Sequence, residues 1–157
     1  MNVEYINPFI RAVLDVFQTM LGCSLSRGEP YAKSSNDLLH EISGIIGLSG
    51  AAKGATVISL SRATALEATA ALLGEHPGEV NADVIDAVGE LANMVAGSAK
   101  AQLEHLALNV SLPTVVQGSS HRVDYPSGAT PICVPFECSW GQVIVEFGLV
   151  EQPAPVS

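Results

Sequence analysis

From Asn81 to about Leu108 the chain runs without a proline, and Val84, Val88, Leu91, Val95, Ala99 and Leu103 recur every three or four positions. That period is helical and puts those six side chains on one side. A helix of this length needs a broad apolar surface to lie on, and only the other segments of the same 157 residues can supply it. Those segments decide whether the partner is a bundle or a sheet.

They favour a sheet. Ile42–Leu48 and Gly54–Leu60 are β-rich runs joined through SGAAKG, whose glycines suit a hairpin. After Pro113 come TVVQG and then two further apolar runs, ATPICVPFECSW and GQVIVEFGLV, meeting at Trp140 and Gly141. Two more helices are expected. Asn7–Leu21 carries Phe9, Ile10, Val13, Leu14, Phe17, Met20 and Leu21 at helical spacing, with Pro8 near its start and Gly22 to stop it. Arg62–Leu73 follows Ser61 as N-cap and ends at Gly74. Residues 23–41 read as strand or loop without a fixed boundary, and residues 153–157 as a loose tail. The fold class is therefore α/β of the α+β type, a mostly antiparallel sheet with long helices packed on one face, in a single domain over residues 1–152.

Composition narrows the function. Sixteen acidic residues against seven basic give a net charge of −9, too few cations to build a phosphate-binding surface for nucleic acid. Mean hydropathy is +0.34, yet no run approaches the roughly 18–20 apolar residues of a membrane-spanning helix. The N-terminal residues lack the pattern of a secretory signal, so a cytoplasmic protein that engages neither membrane nor nucleic acid is expected. Cys23, Cys133 and Cys138 read as free thiols, and His40, His76, His105 and His121 have no metal-ligand spacing, so no metal site of the chain's own is expected.

The long helix has a second side. Asp83, Asp86, Glu90, Asn93, Gly97, Lys100 and Glu104 share one stripe opposite the apolar face, which sets Glu90 and Asn93 one turn apart and pointing the same way. Gly89, Ala92, Ala96 and Gly97 surround Asn93. Interior glycines cost a helix about 1 kcal/mol each against alanine, so Gly89 and Gly97 indicate a close approach, either by the chain itself or by a partner. Lys100 reads as a surface charge or an ion-pair partner of Glu104 rather than as a phosphate ligand. Spacing alone leaves a plain solvated face open as an alternative, since Glu and Asn at this separation also occur in helices without a role.

The full string from Asp86 to Gly97, DAVGELANMVAG, resembles the ExxN active-site helix of the CheC/CheX/FliY family of chemotaxis phosphatases. The likeness extends to the opening NPFI helix, to IIGLSGAAKGATVISLS running into the Ala-rich helix, to QLEHLAL and to PTVVQG. With one ExxN motif rather than two, and this order of elements, the chain is similar to the CheX branch. The resemblance implies removal of the phosphoryl group from the aspartate of a phosphorylated CheY-type response regulator. On that reading Asn93 orients the attacking water and Glu90 contacts a lysine of the regulator, with Asp83, Asp86, Gly89, Gly97 and Lys100 on the partner-binding surface. The Mg²⁺ would come with the regulator. An aspartyl phosphate is already activated, so the phosphatase need add only positioning. A neutral amide can donate and accept without repelling phosphoryl charge. The resemblance also implies a homodimer in which sheets of two subunits join. The competing reading is a non-catalytic module that binds and sequesters the regulator, with Glu90 and Asn93 as recognition groups.

Overall fold

The computed structural model describes residues 3–34, 39–118 and 121–153. Its centre is the hairpin of β3 (Ile42–Ser49) and β4 (Ala52–Leu60), which pairs in register from Ile42 opposite Leu60 to Leu48 opposite Gly54. The second strand starts two residues earlier than its β-rich run, because Gly50, at φ 132°, turns the chain within two residues. β7 (Ile132–Cys138) and β8 (Gly141–Glu151) form the other long hairpin, and β8 lies against β4 along nine registered pairs.

Short strands finish both ends of the sheet. β1 (Ser26–Arg27) and β2 (Tyr31–Ala32) pair with β7, while β5 (Asn109–Val110) and β6 (Thr114–Gln117) pair with β3. The spatial order is β1-β7-β8-β4-β3-β5, with β2 and β6 beside β7 and β3, and every pairing is antiparallel. The apolar C-terminal strands are thus not edges: β8 lies between β7 and β4, and β7 is covered by the segment that the sequence left without a boundary.

Three helices cover one face: α1 (Ile6–Leu21), α2 (Arg62–Leu73) and α3 (Ala82–Gln102). Ser61 caps α2 by accepting from the Thr64 N–H, and Gly22 and Gly74 end α1 and α2 in the left-handed conformation. Phe9 of α1 stacks on Phe147 of β8 with ring centres 4.7 Å apart, and Phe17, Leu60, Leu91 and Phe136 are fully buried in the same core. The helix expected to run to Leu108 stops at Gln102. A 3₁₀ turn, Glu104–Leu106, and left-handed Ala107 follow, and Leu103, Leu106 and Leu108 are all buried by this change of path. The β3–β4 turn sits on that end, with the Ala51 N–H donating to the Leu106 carbonyl at 2.9 Å. No helix among the described residues is long and apolar enough to cross a membrane, and no group of three or more His, Cys, Asp or Glu among them is placed to hold a metal ion. Cys23, Cys133 and Cys138 are free thiols. The expected tail over 153–157 lies, beyond Pro153, outside the described residues.

The opposite face of the sheet is also covered, and with polar groups. Glu146 in the middle of β8 pairs with Lys33 at 3.0 Å, their side chains only 1% and 9% exposed. Tyr125 donates its hydroxyl to the same carboxylate at 3.2 Å and lays its ring against Gly148, and Lys33 also donates to the Val123 carbonyl. Burial, together with the Glu146 charge, pushes the Tyr125 hydroxyl well above its ordinary pKa, so it stays a donor. Removing one member of such a pair strands the other charge, at a cost of about 3–5 kcal/mol. Lys33→Met should therefore lower the denaturant midpoint sharply, while Lys33→Met combined with Glu146→Leu recovers most of the loss; equal midpoints for the two variants would refute the pairing as a source of stability.

Candidate functional site

The placement of the ExxN pair depends on how α3 meets β3. Asn81 caps the helix by accepting from the Val84 N–H at 3.2 Å, and Asp83 sits in the first turn, where a negative charge suits the helix dipole. Val84, Val88, Leu91, Ala92, Val95, Ala96 and Ala99 are buried. At Gly44 the strand has no side chain, and a Cβ built there would fall 2.8 Å from the Ala92 Cβ and 3.0 Å from the Val88 carbonyl oxygen. The helix is therefore seated directly on the strand backbone. Ala92, next to Asn93 in sequence, serves this internal contact, and Ala96 is buried as well.

The outward stripe is as expected from the wheel. Asp83, Asp86, Glu90, Gly97 and Lys100 are exposed and Asn93 is half-buried. Glu90 and Asn93 stand one turn apart, and no described side chain forms a hydrogen bond or ion pair with either. Both functional groups are thus available to something outside the chain. No ion pair joins Lys100 to Glu104 among the described residues, because the helix ends between them and their one-turn relation is lost.

The two glycines of the stripe have different surroundings. Gly89 is buried against the chain's own Pro113 and Val115, whose carbons would lie 3.4–3.6 Å from an added Cβ. Gly97 has nothing within 4 Å of that position. Of the two, only Gly97 leaves the helix backbone open.

Two hollows flank the pair along α3. One, of about 440 Å³, is lined by Ile85, Asp86, Gly89, Glu90, Pro113 and Val115. The other, of about 340 Å³, is lined by Gly97, Lys100, Ala101, Glu104, Ala107 and Leu108. Asn93 lies on the helix between them. Sequence reasoning placed the helix side of this surface and missed its other wall, Pro113 and Val115. The signal available was Gly89 itself, a helix glycine that asked for a close neighbour.

The arrangement offers a carboxylate and a carboxamide on a rigid helix, with no serine, cysteine or histidine among the residues lining the two hollows. It can position a water and grip a cation on a partner.

Comparison with known proteins gives the same class, a phosphatase of the chemotaxis type. Residues 42–137 match the family described as chemotaxis phosphatase CheX. The CheY-P phosphatase CheX of Thermotoga maritima is 31% identical over 126 residues, 78% of this chain and 81% of that protein. The crystal structure of chemotaxis protein CheX from Vibrio vulnificus superposes with a TM-score of 0.87 at 32% identity, covering 94% of this chain and all of that one. A CheX from Borrelia burgdorferi, solved in a complex with CheY, BeF₃ and Mg²⁺, shares the fold with a TM-score of 0.79 at 24% identity, over 96% of this chain and all of that one. The chain belongs to the CheX family of chemotaxis phosphatases.

The glycine contacts give opposite expectations for one substitution. Gly44→Ala forces a methyl into the Ala92 contact and should destabilise the protein by about 1–3 kcal/mol, whereas Gly97→Ala enters open space and should stabilise the helix by about 1 kcal/mol. Urea unfolding of both variants checks this, and a Gly44→Ala protein as stable as wild type would show that the strand does not need its glycine.

Proposed function

We propose that this protein dephosphorylates the aspartyl phosphate of a CheY-type response regulator. The observation that carries the proposal is the unengaged Glu90 and Asn93 pair on the exposed stripe of α3, in a chain of the CheX family. Asn93 enters the regulator's phosphorylation site and holds a water in line with phosphorus through its carboxamide. The water oxygen bonds to phosphorus, the bond from phosphorus to the aspartate oxygen breaks, and inorganic phosphate and a free aspartate are the products. The amide carries no charge to oppose the phosphoryl group. Glu90, one turn earlier, grips a lysine of the regulator and fixes the rotation of the helix on its partner. The Mg²⁺ is part of the substrate protein's own site.

Asp83, Asp86, Gly89, Gly97 and Lys100 surround that contact. Asp83 lies about 10 Å upstream of Glu90 along the axis, so it acts through its field on the approaching regulator, while Asp86 shares the hollow with Glu90. Gly97 lets the partner's rim come close to the helix beyond Asn93. The activity resides in one domain, residues 1–152, acting in the cytoplasm.

With a CheY-type regulator turned over by acetyl phosphate and Mg²⁺, wild type should release phosphate well above the regulator's own rate. Asn93→Ala should return the rate to that baseline, a loss of about 10²-fold or more for removal of a group that positions the attacking water. Equal release by the two proteins would overturn the catalytic assignment, and binding without any acceleration by wild type would point instead to sequestration of the regulator.

A homodimer belongs to the same proposal. Both edges of the sheet end in strands of two to four residues, so a subunit contact does not have a long free strand to extend. Sedimentation at micromolar concentration should give a dimer mass, and a monomer there would remove this part.

A further inference from the structure

Leu112 is the most exposed large apolar side chain among the described residues, at 85%, and it stands where α3 and the edge of the sheet meet. We infer that Leu112 is an apolar anchor for the same phosphorylated regulator, docking beside the Glu90 and Asn93 pair and setting affinity rather than turnover. The inference rests on the function proposed above.

Three observations carry it. First, Leu112 directly precedes Pro113, whose ring packs on Gly89 and forms a wall of the hollow that holds Asp86 and Glu90. A partner placed on Glu90 is therefore next to it. Second, its backbone is held in place. The Ser111 N–H donates to the Gly47 carbonyl at 2.9 Å, the Ser111 hydroxyl accepts from the Gly47 N–H at 2.8 Å and donates to the Leu112 carbonyl at 2.9 Å. Pro113 further restricts the residue before it to extended conformations. A leucine presented on a fixed backbone loses little freedom when it docks.

Third, the local edge disfavours a second copy of the chain as occupant. β5 and β6 both pair with β3, but residues 111–113 separate them, and Pro113 has no N–H to offer an added strand. What remains at this position is an exposed apolar side chain one residue along the chain from Pro113, which walls the hollow that holds Asp86 and Glu90. That combination, an apolar knob next to carboxylates, suits a surface with basic groups around an apolar depression, and the lysine that Glu90 is proposed to contact is one such basic group.

The experiment separates this inference from the one on which it rests. Binding is measured with a CheY-type regulator loaded with beryllofluoride and Mg²⁺, and turnover with the same regulator under acetyl phosphate. Leu112→Ser should raise both Kd and KM about tenfold, the loss expected when a leucine no longer buries its side chain in the complex. Its kcat should stay within twofold of wild type, and Leu112→Met should restore most of the affinity. Since the side chain is exposed, the unfolding midpoint of either variant should match wild type. Unchanged Kd and KM in Leu112→Ser overturn the inference while leaving the Asn93 assignment standing. A shift in Kd accompanied by loss of a dimer in sedimentation also overturns it, assigning Leu112 to contacts between copies. If wild type binds the regulator but does not accelerate phosphate release, the catalytic reading falls and Kd alone decides the role of Leu112.

Discussion

The contact on which the rest depends is the seating of α3 on β3 at Gly44. A helix normally rides on the side chains of a sheet rather than on its backbone. Here the missing Cβ of Gly44 and the short side chain of Ala92 let the helix down onto the strand. This restricts the rotation of α3 about its axis, since a side chain larger than that of Ala92 could not sit against Gly44 without a clash. With the rotation restricted, the stripe of Glu90 and Asn93 faces outward. The same seating brings the segment after β5 close enough for Pro113 to rest on Gly89, so both walls of the hollow beside Glu90 follow from one close approach.

A surface that recognises a partner must keep its shape without that partner. Glu90 and Asn93 have no side-chain partner among the described residues, so rigidity has to come from the backbone beneath them. The sheet supplies it from both sides. The Phe9–Phe147 stack and the buried leucines tie the helices to one face, and Lys33, Tyr125 and Glu146 lock a strap across the other. The buried carboxylate lies on the far side of the sheet from α3, and there its role is structural.

Much of this was legible in the linear chain because local chemistry dictates it. Ser61 as a cap, Gly22 and Gly74 as stops, and the apolar side of α3 from Val84 to Ala99 all act within a few residues of themselves. The parts that were not legible are those decided by distant residues. Leu103 and Leu106 keep a helix-compatible spacing, yet the β3–β4 turn docks on the Leu106 carbonyl and the helix ends at Gln102. β1 and β2 exist only because β7 pairs with them. Lys33 and Glu146, separated by 113 positions, carry no mark in sequence of being partners. The site shows the same division: the spacing of Glu90 and Asn93 is intrinsic to a helix, whereas Pro113 and Val115 become its neighbours only through the sheet.

The unengaged state of Glu90 and Asn93 also bears on how long a complex of this kind would last. No hydrogen bond or ion pair from the described residues holds either side chain, and immobilising each when a partner arrives costs about 0.5–1.5 kcal/mol. The free energy of association is reduced by that amount, which shortens residence and speeds departure after each event. A protein that must act on many copies of a signalling molecule in succession gains from such a loosely held pair: the freedom that makes Glu90 and Asn93 available is also what lets the partner go.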